Sequence, residues 1–133
     1  MTAEENTTVV KATYAAFKSG DFDTLFASYA SDVQWEVYGP KSLPTAGTWN
    51  GIDGIKAFFA TLDREMSVRS FENREYIAQG DQVVVLGDYA WTAKTTGRPF
   101  ESNFAHVVTL KDGKISRFRE YTDTAVAAAA FGS

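Results

Sequence analysis

The dipeptide Asp112-Gly113 constrains this chain more than any other pair of residues. Apolar side chains flank it, with Val107, Val108 and Leu110 before it and Ile115, Phe118 and Tyr121 after it. Asp-Gly tolerates positive φ at both central positions of a type I′ turn, whose twist matches that of the strands it joins. The run from His106 to Tyr121 is therefore predicted to be an antiparallel hairpin. It holds the chain's single histidine, His106, and a carboxylate, Glu120, inside a strand, where acids are depleted. Asp123 follows as the cap of an alanine-rich helix that ends before Gly132.

Upstream, Thr2 to Glu5 has the spacing of a capping box, and Val10, Tyr14 and Phe17 recur at helical intervals until Ser19-Gly20 stops the pattern. Asp21 caps a shorter helix with Leu25, Phe26 and Tyr29 on its apolar face, closed by Ser31-Asp32. Val33, Trp35 and Val37 then alternate with Gln34 and Glu36, which predicts a strand with one buried face. Gly39-Pro40, Pro44 and Gly47 punctuate a loop of about ten residues that carries Trp49, long enough to be a lid or pocket rim. Asn50 opens a third helix, with Ile55, Phe58, Phe59 and Leu62 along its apolar side. From Val68 onward the chain is extended, with strands Val68–Ala78, Val83–Ala93, Phe100–Leu110 and Ile115–Tyr121 turning at Gly80-Asp81, Thr96-Gly97 and Asp112-Gly113. Helices followed by a strand meander predict an α+β fold with helices on one face of an antiparallel sheet. No repeat or linker divides residues 1–133, so a single domain is expected.

Composition narrows the function. There is no cysteine, which removes disulfides, thiolate metal sites and cysteine nucleophiles. A net charge of −4 without a Lys/Arg cluster argues against nucleic acid. No apolar stretch approaches the roughly 20 residues of a membrane span, and the N-terminus is acidic where a secretory signal is basic, so a cytoplasmic protein is expected. With one histidine and no acid at ligand spacing, no metal is expected. Phosphate loops, nucleotide fingerprints and serine elbows are also missing, so no cofactor is expected. Ten Phe, six Tyr and three Trp supply either a large aromatic core or an aromatic-lined cavity for an organic ligand.

The helix ending in Gly20-Asp21-Phe22-Asp23, the strand Ser31-Asp-Val-Gln-Trp35, the Gly39-Pro40…Pro44…Gly47 loop and the run Asp112-Gly-Lys-Ile…Phe118-Arg-Glu-Tyr-Thr-Asp-Thr-Ala125 together resemble the SnoaL-like branch of the nuclear transport factor 2-like superfamily. That branch is related to ketosteroid isomerases, limonene epoxide hydrolases and polyketide cyclases. The resemblance implies a curved sheet forming a cone closed by N-terminal helices around an apolar pocket, commonly as a homodimer. It does not specify chemistry, because the fold hosts isomerases, hydrolases, cyclases and proteins that only bind or scaffold. The ketosteroid isomerase tyrosine, base and protonated Asp fall on Thr13, Val37 and Ala105, none of which carries the needed group. Glu120 matches one acid of the limonene epoxide hydrolases, and Asp88 lies where the second is sought, although no arginine stands beside it in that strand. The late-strand acid and histidine of the polyketide cyclases correspond to Glu120 and His106.

Counting outward from the turn pairs Ala105 with Glu120 and His106 with Arg119. One hairpin face then carries Asn103, Ala105, Val107, Phe118, Glu120 and Thr122, which reads as a pocket wall. The other carries Phe104, His106, Val108, Arg117, Arg119 and Tyr121, which suits a subunit interface or solvent, with His106 a hydrogen-bonded interface residue. A β-bulge in either strand would bring His106 back to the Glu120 side. The candidate acid/base residues are Glu120 and Asp88. A carboxylate in an apolar cavity can abstract a proton next to a carbonyl or activate water, against which stands a structural ion pair for Glu120 and a solvent-facing position for Asp88. Tyr14, Trp35, Trp49, Phe58, Asn103 and Phe118 are the candidate ligand contacts, each with core filling as its alternative. The expected function is binding of a small apolar carbonyl or polycyclic compound, with cofactor-free isomerisation, cyclisation or hydration, or else binding without catalysis.

Overall fold

The computed structural model describes residues 1–132. The elements run α1 Ala3–Ser19, α2 Phe22–Ala27, β1 Tyr29–Val37, β2 Gly47–Asn50, α3 Gly51–Glu65, β3 Met66–Gln79, β4 Gln82–Ala93, β5 Pro99–Lys111, β6 Lys114–Thr122 and α4 Thr124–Ala130. Local chemistry sets most of these bounds. Thr2 and Glu5 close a reciprocal capping box at 3.0 and 3.1 Å, and Gly20 ends α1 at φ 75°. Asp123 accepts from Val126 N to start α4. Asp112 and Gly113 sit at φ 53° and 78°, the conformation required by the predicted type I′ turn.

The strands form one open, curved sheet in the order β2-β1-β6-β5-β4-β3. Neighbours are antiparallel except β1 and β6, which run parallel, so the sheet is mixed where a wholly antiparallel one is expected. Turns dictate direction within the β3–β6 meander, but β1 reaches β6 only through long-range contact. The early region differs from expectation in two further ways. Tyr29 belongs to β1, opposite Ile115, and not to the face of α2. Trp49 lies in β2, opposite Trp35, and not in the loop.

Register shifts interrupt the ladder between Tyr29 and Gln34, Val68 and Ser70, Asn73 and Glu75, and Thr109 and Leu110. Each such irregularity bends the strand that carries it and raises its twist. Gly87 shows how closely the chain approaches itself at one of them. A Cβ there would lie 2.0 Å from Glu72 O and 2.6 Å from Phe104 Cζ. Helix α1 packs over β3 and β4, and α3 packs over β1 and β2. Val10, Ile55 and Phe58 from these helices meet Val33, Trp35, Val85, Tyr89, Val108 and Phe118 from the sheet in the core. No helix among the described residues is long and apolar enough to cross a membrane.

Candidate active site

One residue of β6, Ser116, has no cross-strand partner, and it offsets the count that locates the site. Next to the turn, Lys111 pairs with Lys114 and Leu110 with Ile115, as a count from Asp112-Gly113 requires. Beyond Ser116 every pairing moves by one, giving Thr109 with Arg117, Val108 with Phe118, His106 with Glu120 and Phe104 with Thr122. The predicted pairs Ala105–Glu120 and His106–Arg119 are thus incorrect, and the reason is this bulge. His106 leaves the outer face for the interior, where it is 3% exposed, while Asn103, Ala105 and Val107 turn outward. A signal for this exists in the sequence. Ile115 and Phe118 are both buried although three residues apart, a spacing that an unbroken two-residue period cannot place on one face.

Glu120, His106, Tyr14 and Tyr89 converge on a cavity between the sheet and helices α1 and α3. Its volume is ≈ 80 Å³, counted as the space open to the centre of a water-sized sphere, room for roughly half a dozen waters. His106 Nε2 lies 3.5 Å from Glu120 Oε2. The Tyr14 hydroxyl lies 2.6 Å from His106 Nδ1, and the Tyr89 hydroxyl donates to Glu120 Oε1 at 3.2 Å. Burial, reinforced by the negative charge of Glu120, pushes the Tyr14 phenol well above its ordinary range, and burial does the same to Tyr89. Both hydroxyls consequently stay protonated across the physiological range. Tyr14 is then the donor to Nδ1, and the buried His106 Nε2 faces Glu120 without a hydrogen-bond partner of its own. The result is a linear set, Tyr14 to His106 to Glu120 to Tyr89. Glu120 has no Lys or Arg partner among the described residues; Arg117 faces outward and holds Glu36 at 3.0 and 3.3 Å.

Of the other candidate residues, Tyr14, Trp35, Phe58 and Phe118 line this cavity. Trp35 and Phe118, opposite one another in the parallel β1–β6 pair, stack with centroids 3.6 Å apart at 10°. Trp49 is not in the wall. It packs edge-on against Phe58 and donates Nε1–H to Thr45 O at 3.1 Å, which anchors the Gly39–Gly47 loop whose Leu43 and Thr45 do line the cavity. Asp88 and Asn103 face each other on the outer side of the sheet, because β4 turns Val83, Val85, Tyr89 and Trp91 inward and its even-numbered neighbour outward. Asp88 is ion-paired there with Arg74, which holds its carboxyl below the usual range. Sequence reasoning missed Tyr89, although its parity with Val83, Val85 and Trp91 marks it as an inward residue.

A protein-family comparison matches residues 10–118 to the SnoaL-like domain. Uncharacterized protein Rv0034 of Mycobacterium tuberculosis (strain ATCC 25618 / H37Rv) is 30% identical over 125 residues, covering 91% of each chain. Among solved structures, a nuclear transport factor 2-like protein from Burkholderia xenovorans LB400 is 32% identical with a TM-score of 0.92 over 99% of each chain. TerC, solved in a co-crystal with polyporic acid, is 30% identical with a TM-score of 0.82, over 97% of this chain and 99% of its own. The chain belongs to the SnoaL-like family within the nuclear transport factor 2-like fold.

Proposed function

We propose that this protein is a cofactor-free acid/base enzyme acting on a small apolar carbonyl or polycyclic compound, with Glu120 as the proton-transferring group. The observation that carries this reading is the His106–Glu120 pair, Nε2 to Oε2 at 3.5 Å, enclosed by aromatic walls and flanked by Tyr14 and Tyr89. Glu120 removes a proton from a carbon next to a carbonyl and holds it. The electron pair moves to the carbonyl oxygen, and the proton is returned either to the same carbon or to another conjugated with it, so nothing external is consumed. Tyr89 donates to one carboxylate oxygen at 3.2 Å and His106 Nε2 stands 3.5 Å from the other, which orients the base. TerC's co-crystal with polyporic acid supports an organic ligand in a relative of this fold.

The test needs no knowledge of the natural substrate. Two-ring ketones are incubated with the protein in D₂O and deuterium incorporation next to the carbonyl is followed by proton NMR. Exchange above the buffer rate is expected, falling by about 100-fold or more in Glu120→Gln. Undiminished exchange in Glu120→Gln would reject the role given to this residue. Binding without exchange would instead support a ligand-binding protein, a reading favoured by the small volume left beside the Trp35–Phe118 stack.

The same reading includes a homodimer built on the outer sheet face. There the cross-strand pairs Val84–Val107 and Leu86–Ala105 present half-buried apolar side chains, and Tyr121 beside them is 43% exposed.

A further inference from the structure

Glu120 is a carboxylate held inside the protein with no cation beside it. Its side chain keeps 15% exposure and lines the cavity, whose wall contains no Lys or Arg. The arginines of its own strand belong to the outer face, where Arg117 holds Glu36 and Arg119 lies against the Tyr121 hydroxyl. The groups that approach the carboxylate are neutral. Tyr89 donates its hydroxyl to Oε1 at 3.2 Å, and His106, which receives the Tyr14 hydroxyl at Nδ1, is not an imidazolium while that bond holds. Taking an ionised carboxylate out of water is costly unless a positive charge accompanies it. The rest of the wall supplies no charge but suits one. Tyr89, Trp91, Phe100 and Phe118 line the same cavity, and the Tyr89 ring centroid lies 5.9 Å from that of Trp91 and 6.5 Å from that of Phe100. Aromatic rings carry negative faces that attract an ammonium group. Space sets the size, since ≈ 80 Å³, the room of roughly half a dozen waters, holds one ring with a short arm.

We propose that the cavity is a site for a small arylalkyl ammonium ion, whose charged nitrogen pairs with the Glu120 carboxylate while its ring lies among the aromatic walls. This goes beyond the carbonyl reading and shares with it only that Glu120 faces the ligand. An ammonium group in that place occupies the lone pairs that would remove a proton from a ketone, so the amine competes with any proton transfer that Glu120 performs. An anion of the same shape shares a low-dielectric space with the carboxylate and is repelled.

The experiment compares benzylammonium, benzyl alcohol and phenylacetate, ligands of similar shape and different charge, by calorimetric titration near neutral pH. The native protein is expected to bind benzylammonium about tenfold or more tighter than benzyl alcohol and to bind phenylacetate weakest. Glu120→Gln should bring benzylammonium down to the affinity of benzyl alcohol and leave the alcohol nearly unchanged, because the amide fills the same space. Asp88→Asn removes a negative charge from the outer face, where Asp88 is paired with Arg74, and should keep the preference. An equal loss in Asp88→Asn would assign the preference to the overall charge of the chain and overturn the proposal. Equal binding of benzylammonium and benzyl alcohol, binding of none of the three, or an unchanged preference in Glu120→Gln also overturns it. Should Glu120→Gln fail to fold, the side-chain carboxyl carbon of Glu120 in the ¹³C-labelled native protein decides. A shift with benzylammonium and none with benzyl alcohol supports the pairing, and identical responses reject it. A benzylammonium preference without deuterium exchange into ketones would reject catalysis and leave the amine site standing, whereas exchange without that preference would do the reverse.

Discussion

Tyr14 controls which nitrogen of His106 bears the proton. Its hydroxyl is held protonated by burial and by the Glu120 charge, so it occupies Nδ1 as a donor and leaves Nε2 facing Glu120 at 3.5 Å. Tyr14→Phe removes that lock without emptying the cavity. We expect the deuterium-exchange rate at saturating ketone to fall about tenfold with little change in ketone affinity, since orientation of the pair is lost and the aromatic wall is kept. A change in affinity alone would contradict this role. The raised phenols also have a stability consequence. A group whose folded-state pKa lies above its unfolded value contributes stability that is complete below the unfolded pKa, about 10 for tyrosine, and is lost as pH rises towards the folded value. Urea unfolding midpoints should therefore decline steeply above about pH 10 in the native protein and less steeply in Tyr14→Phe. Equal slopes would show that Tyr14 ionises freely in the fold.

At the scale of elements, the bulge in β6 and the close approach at Gly87 decide what the sheet can present. Ser116 is the extra residue, and its hydroxyl donates back to Thr109 O at 3.2 Å. Deleting Ser116 makes the hairpin regular while leaving Thr109–Arg117 and His106–Glu120 as partners, because only the unpaired residue is removed. The deletion variant should fold, keep the Tyr14–His106 hydrogen bond visible by NMR, and lose about 1–2 kcal/mol through the altered twist. Loss of the His106–Glu120 contact in that variant would show that the bulge has been placed on the wrong residue. Gly87→Ala should cost more, about 2–3 kcal/mol, since the new methyl meets the Glu72 carbonyl, which is backbone and cannot swing away. A denaturation midpoint unchanged from the native protein would exclude that steric reading. Between β1 and β6, Glu36 is held below the ordinary glutamate range by hydrogen bonds from Arg117 and Tyr38. A depressed carboxyl contributes stability above its unfolded pKa and loses it as pH falls through the folded value, so this parallel pair weakens on the acid side.

For the whole molecule, the mixed sheet has two unlike faces. The inner one collects aromatic side chains around Glu120 and His106, and the outer one leaves Val84, Leu86, Ala105, Val107 and Tyr121 half-covered or exposed. If a second copy covers the outer face, Leu86→Glu should give a monomer by light scattering with an unchanged far-UV spectrum, since the residue lies away from the core. A native protein that is already monomeric at micromolar concentration would dispose of the dimer.

What sequence alone determined is what short-range chemistry controls. The caps at Thr2 and Asp123, the Gly20 stop, the Asp112-Gly113 turn, the meander of β3 to β6 and the inward position of Glu120 depend on neighbours a few residues away. Residue patterns record such neighbours directly. Tertiary structure alone decided the parallel β1–β6 pairing, the strand β2, the exclusion of Trp49, Asp88 and Asn103 from the cavity wall, and the meeting of His106 with Glu120. The last is the most instructive. Side-chain direction along a strand has a period of two, so one unpaired serine shifts every cross-strand pairing beyond it and swaps which face of β5 shares a side with Glu120. Whether such a residue is tolerated depends on the packing of Ile115 and Phe118 against helices and strands far away in the chain, and a count from the turn contains none of that information.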